Sequence, residues 1–327
     1  MRAAWYERQG AAADVFVVGE MDDPEPGPGE VRIRIEASGV NPGDVKKRQD
    51  RFGRGLPYPR VIPHSDGAGV IDAVAPGADD ARVGQRVWCF GAQSYRPFGT
   101  AAEYVVVPDE QAILLPDAVT FEQGACLGIP GITAHRSVHV AGEVAGKTVL
   151  IQGGAGAVGQ CAIGLARHAG ARVAATVRSA KDEATAQRAG AHWVIRIADS
   201  TESTAERIRD AVGDGVDHIV EVAFDANIEL DAQLLRPNGS IATYATRDVT
   251  PGIPFWPLVF KNISIFFLGS DDFSRKTKAA AAEALNEALL AEWPGFEIAP
   301  GIPLDSIANA HIAVEEHSTA GRVVVTL

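Results

Sequence analysis

Three things are scarce in this chain. Cysteine occurs only as Cys89, Cys126 and Cys161, widely spaced and without a CxxC pair. That excludes a disulfide framework, and an odd, unpatterned count suits buried thiols in a reducing compartment. Long apolar runs are also missing. The best stretches, 149–152 and 263–269, are strand-length, against the ~20 apolar residues a membrane helix needs. The opening Met1-Arg2-Ala3-Ala4-Trp5-Tyr6-Glu7-Arg8 lacks the apolar run of a secretory leader. A cytoplasmic protein with no membrane partner is expected. Positive charge is the third shortage: 30 Lys and Arg stand against 42 Asp and Glu, a formal charge of -12. Phosphate backbones and anionic membrane surfaces would be repelled, so no nucleic-acid partner is expected.

Apolar material is ample. Hydrophobic residues make up 46% of the 327 and charged residues 22%, an ordinary globular balance at a length that suits two domains. The first third reads as β-rich. Glu30-Val31-Arg32-Ile33-Arg34-Ile35-Glu36 alternates with period two, which puts Val31, Ile33 and Ile35 on one buried face. Pro24, Pro26 and Pro28 mark the loop before it, and further strands are expected at 69–74, 86–90 and 101–107. Such spacing suggests a compact, barrel-like domain.

The rhythm changes near residue 121. Residues 121–141 read as helix, interrupted or bent at Pro130 and Gly131. Strands are then expected at 148–152, 172–177, 193–197, 217–222, 240–244 and 263–268, with helices at 158–169, 181–189, 202–212 and 228–235. That alternation marks a parallel sheet with helices on both faces. Helices at 275–293 and 304–317 follow, the first stopped by Pro294-Gly295. The closing strand at 322–327 has no doubly wound neighbour left and is expected to return to the first domain. No internal repeat or low-complexity tract is present beyond the alanine run at 279–282.

The strongest local signal is Thr148-Val149-Leu150-Ile151-Gln152-Gly153-Gly154-Ala155-Gly156-Ala157-Val158-Gly159. A buried strand runs into Gly154-x-Gly156-x-x-Gly159 and a helix begins there. Gly154 permits a tight turn, Gly156 leaves room for a pyrophosphate, and Gly159 lets the helix pack on the strand. The helix start then offers free N–H groups and a positive dipole end to phosphate. A lone GxGxxG is weak evidence; here the strand before and the helix after agree with it. Where an NAD site usually carries an acid, the second strand ends in Arg178, Ser179 and Lys181. These suit the 2′-phosphate of NADPH, with Arg196 at the end of the next strand within plausible reach. Solvated strand-end charges are the blander account.

From end to end the chain resembles the medium-chain dehydrogenase/reductases, and within them the zeta-crystallin-like quinone oxidoreductases. Ser38-Gly39-Val40-Asn41-Pro42-Gly43-Asp44, Pro63-His64-Ser65-Asp66-Gly67-Ala68-Gly69, Gly84-Gln85-Arg86-Val87, Phe121-Glu122-Gln123-Gly124-Ala125 and Gly128-Ile129-Pro130-Gly131-Ile132-Thr133-Ala134 carry the resemblance with the glycine loop. It implies an α/β protein: a GroES-like β-rich catalytic domain, 1–125 and 270–327, plus a Rossmann doubly wound parallel-sheet domain, 126–269. It also implies cofactor contacts at Gly154, Ala155, Gly156, Ala157, Val158 and Gly159, and at the later strand ends Ala223, Tyr244, Ala245, Thr246, Phe267, Leu268 and Gly269. A homodimer closed through 262–268 is expected, because that run is too apolar for a free edge.

Zinc-dependent relatives carry ligands where this chain has Asn41, Ser65 with Asp66, and Ile129. Neither Asn41 nor Ile129 supplies a thiolate or imidazole. His64 sits one position early with no second imidazole beside it on its strand, and Cys89 stands alone where the zinc enzymes have four cysteines. No metal is expected. Without a Lewis acid the acceptor must already be electrophilic, as quinones and α,β-unsaturated carbonyls are.

The resemblance places Asn41, Asp44, Lys46 and Thr133 near the nicotinamide and substrate. Asn41 equally suits an Asn-Pro turn, and Asp44 equally suits capping the helix that follows. Bacterial quinone reductases usually carry Tyr at 46 and often at 197, where this chain has Lys46 and Ile197. Trp88, Phe90, Tyr95, Phe98, Phe255, Trp256 and Phe260 are candidates for a hydrophobic cleft or for plain core. For the proton donor, water, Lys46 and Tyr58 are the candidates. The expected activity is hydride transfer from NADPH to a small-molecule quinone. The alternatives are an NADPH-dependent enone or enoyl reductase, and a cofactor-binding protein without useful turnover.

Overall fold

The period-two segment extends into a longer strand, Glu30–Gly39, with Val31, Ile33 and Ile35 buried. The structure, a computed structural model, describes every residue except Pro76, Ala78 and Glu292. Numbered along the chain, that strand is β3, after β1 (Arg2–Trp5), α1 (Ala12–Val15) and β2 (Val17–Glu20). There follow α2 (Pro42–Arg48), β4 (Asp66–Val74), β5 (Arg86–Cys89), β6 (Tyr104–Pro108), β7 (Ala112–Leu114) and α3 (Phe121–Gly124). β3 pairs antiparallel with β4, with β6 and with β15 (Val324–Thr326), so the last strand does return to the first sheet. Ile33, Ile71, Val87 and Val105 pack together under these strands.

After α4 (Gly128–His139), strand and helix alternate: β8 (Thr148–Ile151), α5 (Ala157–His168), β9 (Arg172–Val177), α6 (Ala180–Arg188), β10 (Trp193–Arg196), α7 (Thr201–Val212), β11 (Val216–Glu221), α8 (Phe224–Leu234) and β12 (Leu235–Thr243). Then come α9 (Phe255–Phe260), β13 (Ser264–Phe267), α10 (Arg275–Ala291), β14 (Ile302–Pro303) and α11 (Ile307–Glu316). The six parallel strands are ordered β10-β9-β8-β11-β12-β13. This is the doubly wound Rossmann order, and it reverses between β8 and β11. Leu150, Ile219, Ile241 and Phe224 belong to one buried cluster beneath it.

The chain divides into two compact units: Met1–Ile129 with Phe296–Leu327, and Pro130–Gly295. The second boundary therefore falls at 295/296, against the 269/270 expected from the end of the strand rhythm. The reason is α10, whose Leu285 would meet a Cβ on Gly131 at 2.5 Å, while Trp293 lies 2.7 Å from a Cβ on Gly164 of α5. Small residues at both points let α10 and its exit pack on the second unit. Glu292, inside the expected helix 275–293, lies outside the described residues.

Pro130 does not break a helix. The break falls at 125–127, and Pro130 lies in the first turn of α4, where its missing N–H costs no intrahelical bond. Helix α9 is not expected from the sequence: it is only six residues long and carries Pro257 in its first turn. Among the described residues no helix is long and apolar enough to cross a membrane. The three cysteines are buried and none is in a disulfide.

Candidate cofactor and active site

β8 is buried throughout, and beyond it Gln152 N–H still donates to Val220 O at 2.9 Å. Gly153 then turns at φ +69, where any side chain is strained. A Cβ on Gly154 would stand 2.7 Å from that of Ala175, and one on Gly159 would stand 2.3 Å from Gly153 O. Packing inside the protein thus requires both glycines. Gly156, the N-cap of α5, differs: its Cβ would meet only Gly153 O, at 3.3 Å. Packing inside the chain therefore does not account for a glycine at 156 as it does at 154 and 159. Ala157, Val158 and Gly159 occupy the first turn, whose N–H groups have no intrahelical partners, and Ala155 completes the loop. A phosphate fits this arrangement.

At the end of β9 the three expected residues part company. Arg178 is exposed and without a partner among the described residues, as is Lys181. Ser179 caps α6, accepting from Asp182 N–H at 3.2 Å while its hydroxyl donates to the Asp182 carboxylate at 2.8 Å. Arg196 pairs with Glu183 at 2.7 Å. Arg196 and Ile197 also line an open hollow with Glu183, Ser200 and Arg207.

The later strand ends lie side by side along the carboxyl edge. Ala223 follows β11 and donates its N–H to the Glu221 carboxylate. Tyr244, Ala245 and Thr246 follow β12; Ala245 O accepts from Phe224 N–H at 3.1 Å, and Thr246 hydroxyl donates to Asp225 at 3.2 Å. Phe267 ends β13, largely exposed and edge-on to Phe224. Leu268 N–H donates to Thr243 O at 2.9 Å, and exposed Gly269 follows.

In the first unit Asn41 is the N-cap of α2. Its backbone N–H donates to Asp44 at 2.8 Å, so Asp44 performs the capping job. The buried Asn41 amide is oriented from both sides: it donates to Asp66 Oδ2 at 2.7 Å and accepts from Arg322 at 2.7 Å. The Asp66 carboxylate also takes the Ile129 N–H, at 2.9 and 3.0 Å. Burial pushes Asp66 up to about 7, against the Asn41 hydrogen bond. The sequence reading named Asn41 and Asp66 but missed Arg322. A charged residue opening an otherwise apolar terminal strand was the available signal.

Lys46, on the same helix, is exposed and without a partner among the described residues. Thr133 is buried in α4 of the second unit, its carbonyl accepting from Ser137. Tyr58 is engaged, donating to Tyr95 O at 2.6 Å. Of the aromatics, Trp88 and Phe90 are core, while Tyr95, Phe98, Phe255, Trp256 and Phe260 are exposed.

The positions expected for zinc ligands do meet, but as a hydrogen-bonded knot. Asn41 gives an amide already committed to Asp66, and Ile129 gives only a backbone N–H. Among the described residues no three His, Cys, Asp or Glu converge to hold a metal ion. His64 does have a second imidazole, supplied by His311 rather than by its own strand, with Nε2 atoms 3.0 Å apart.

Residues 27–117 match the family described as alcohol dehydrogenase GroES-like domain, and residues 157–286 match the family described as zinc-binding dehydrogenase. The second description does not fit the donor set here, an amide, a single carboxylate and a backbone N–H. Human quinone oxidoreductase is 31% identical over 309 residues, which cover 93% of this chain and 91% of that one. A mycobacterial protein solved as an NADPH complex superposes with a TM-score of 0.85 at 27% identity, covering all of both chains. A 2-haloacrylate reductase superposes at 0.82 with 28% identity, over 100% of this chain and 99% of that one. With this fold, this glycine loop and those relatives, the chain belongs to the quinone oxidoreductases of the medium-chain dehydrogenase/reductase family.

Proposed function

We propose that this protein is an NADPH-dependent, zinc-free reductase of quinones. The observation that carries the cofactor choice is Arg178, an exposed guanidinium without a partner among the described residues, where an NAD site usually carries an acid. The quinone relatives carry the acceptor class. Bound NADPH would supply hydride to a conjugated acceptor, whose arriving charge spreads through its π-system. The chain's own part is to orient the reactants. Gly154 to Gly159 hold the pyrophosphate against the start of α5, and Arg178 with Lys181 meet the 2′-phosphate. Ala223, Tyr244, Ala245, Thr246, Phe267, Leu268 and Gly269 border the cofactor along the sheet edge, and Thr133 meets its nicotinamide end. Asn41 has two amide N–H groups and Asp66 holds one, which leaves the other for an acceptor oxygen. Lys46 stands on the same helix, free to face an acidic acceptor or water.

A reductase of activated alkenes is the second reading, favoured by the likeness to 2-haloacrylate reductase. A panel of quinones, enones and simple aldehydes scored by NADPH oxidation separates the two. Quinone-only turnover supports the first, enone-only turnover the second, and binding without turnover refutes both. Activity that is lost with a removed zinc ion would refute the zinc-free assignment. We further assign the protein to the cytoplasm as a homodimer joined through β13, the edge strand of its sheet, with exposed Phe267. A monomer by light scattering at micromolar concentration would refute the dimer.

A further inference from the structure

Four buried polar side chains lie in the second unit at the root of the glycine loop. Gln152 directly follows β8, Thr176 is in β9, Glu221 ends β11 and Asp231 is on α8. β8 and β11 are the neighbours between which the strand order reverses, so Glu221 stands beside the chain entering the loop. Nothing in the glycine motif calls for carboxylates here, and burying two of them is costly.

Their hydrogen bonds run in one direction. Gly153 N–H donates to Thr176 Oγ1 at 3.2 Å, and the Thr176 hydroxyl donates to Gln152 Oε1 at 2.6 Å. Gln152 Nε2 donates to Asp231 Oδ1 at 2.9 Å. Glu221 receives the Ala223 N–H and the Asn227 amide, the latter at 3.0 and 3.1 Å from its two oxygens. Asp231 Oδ2 remains: it is buried, no donor among the described residues reaches it, and the Asp231 carboxyl faces that of Glu221 at hydrogen-bonding reach. Two bare carboxylates would repel each other out of water and leave that oxygen unsatisfied. One proton on Asp231 Oδ2, donated to Glu221, satisfies both.

We propose that Glu221 and Asp231 share a single proton and act as a positioning pair for the cofactor loop, holding Gln152 and Thr176 so that the Gly153 turn is set before NADPH arrives. Burial drives both carboxyls up, and the facing Glu221 charge drives Asp231 further, so Asp231 keeps the proton. Donors from Ala223 and Asn227 keep Glu221 the charged partner. The other titratable groups nearby are Tyr244, whose phenol is pushed up by burial, and Cys161 beyond it.

The inference rests on 153–159 being the phosphate loop, and the test separates the two ideas. Infrared spectra at pH 7 should contain the carbonyl stretch of a protonated carboxylic acid that vanishes in Asp231→Asn. It should shift in frequency in Glu221→Gln, where the carboxylate that accepts the proton is replaced by an amide while burial of Asp231 remains. A spectrum with no band dependent on Asp231 overturns the shared proton. In fluorescence titrations Asp231→Ala should raise the NADPH Kd about tenfold, the loss of one hydrogen-bonded anchor. Asp231→Asn, whose amide N–H replaces the proton, should stay within about threefold of the parent. An unchanged Kd in Asp231→Ala, while Gly156→Asp abolishes NADPH binding, overturns the positioning role alone. Normal binding by Gly156→Asp overturns the loop reading and the proposal with it.

Discussion

Consider a shift from pH 7 to pH 5 acting on His64 and His311. The two rings are buried in the first unit with Nε2 atoms 3.0 Å apart. Arg48 Nε donates to His311 Nδ1 at 3.4 Å, so the neutral His311 proton is on Nε2 and points at His64. His64 then donates from Nδ1 to Ser38 at 2.8 Å, Ser38 to Thr100 at 2.7 Å, and Thr100 to Asp66 O at 2.7 Å. Every polar atom along this path is satisfied with both rings neutral. A further proton on His64 would set N–H against N–H, beside the buried Arg48 guanidinium that Glu315 balances. Burial accordingly pushes His64 down to about 3 and His311 well below its ordinary value, with His64 and Arg48 adding to the shift of His311. Because the unfolded chain binds these protons near 6.5 and the folded chain does not, stability is full above about 6.5 and falls as the pH drops toward 3. At pH 5 the gap for His64 is about 1.5 pH units, or about 2 kcal/mol, and His311 adds to it. Urea unfolding of the parent and of His64→Gln/His311→Gln at the two pH values measures the difference. The variant should start less stable at pH 7 and lose at least about 2 kcal/mol less on acidification. Equal losses in the two proteins would refute the neutral pair.

What the sequence makes legible here is what is local. β9 runs over 172–177 as expected because its apolar run begins at a charged residue and stops at one. The glycine loop is legible because turn, close packing and helix start each demand a small residue within a short span. The terminal strand could be sent home because no doubly wound partner was left for it. Partnership across distance is not legible. His64 meets His311 from 247 positions away, and Asn41 meets Arg322 from 281. No periodicity carries that information: the antiparallel pairing of β15 with β3 brings Arg322 opposite Asn41, and His311 arrives on α11. The allegiance of α10 failed for a related reason: an amphipathic helix states that it has a buried face, not which unit covers it. Gln152 was visible as a polar residue ending an apolar strand and Glu221 as one inside the expected strand 217–222, but only the fold brings both to Asp231.

Arg178→Ala should weaken NADPH binding by roughly 1–3 kcal/mol while leaving NADH binding alone, and equal affinity of the parent for both cofactors would refute the assignment. Gly159→Ala should cost about 1–3 kcal/mol of stability, because its Cβ would stand 2.3 Å from Gly153 O. Gly156→Ala meets only Gly153 O, at 3.3 Å; it should leave the thermal midpoint near the parent's yet weaken NADPH binding, and the opposite pattern would refute the division of labour between these glycines. Lys46→Tyr is the sharpest probe of the acceptor side, because the exposed Lys46 has no partner among the described residues whose loss would disturb folding. If the ammonium selects small or acidic acceptors, the aromatic ring should raise kcat/KM on bulky quinones by about tenfold, the order expected when a ring covers part of an apolar acceptor. NADPH affinity should not move. Unchanged turnover across the quinone series would put Lys46 in plain solvent, and a collapse of NADPH binding would put residue 46 against the cofactor instead.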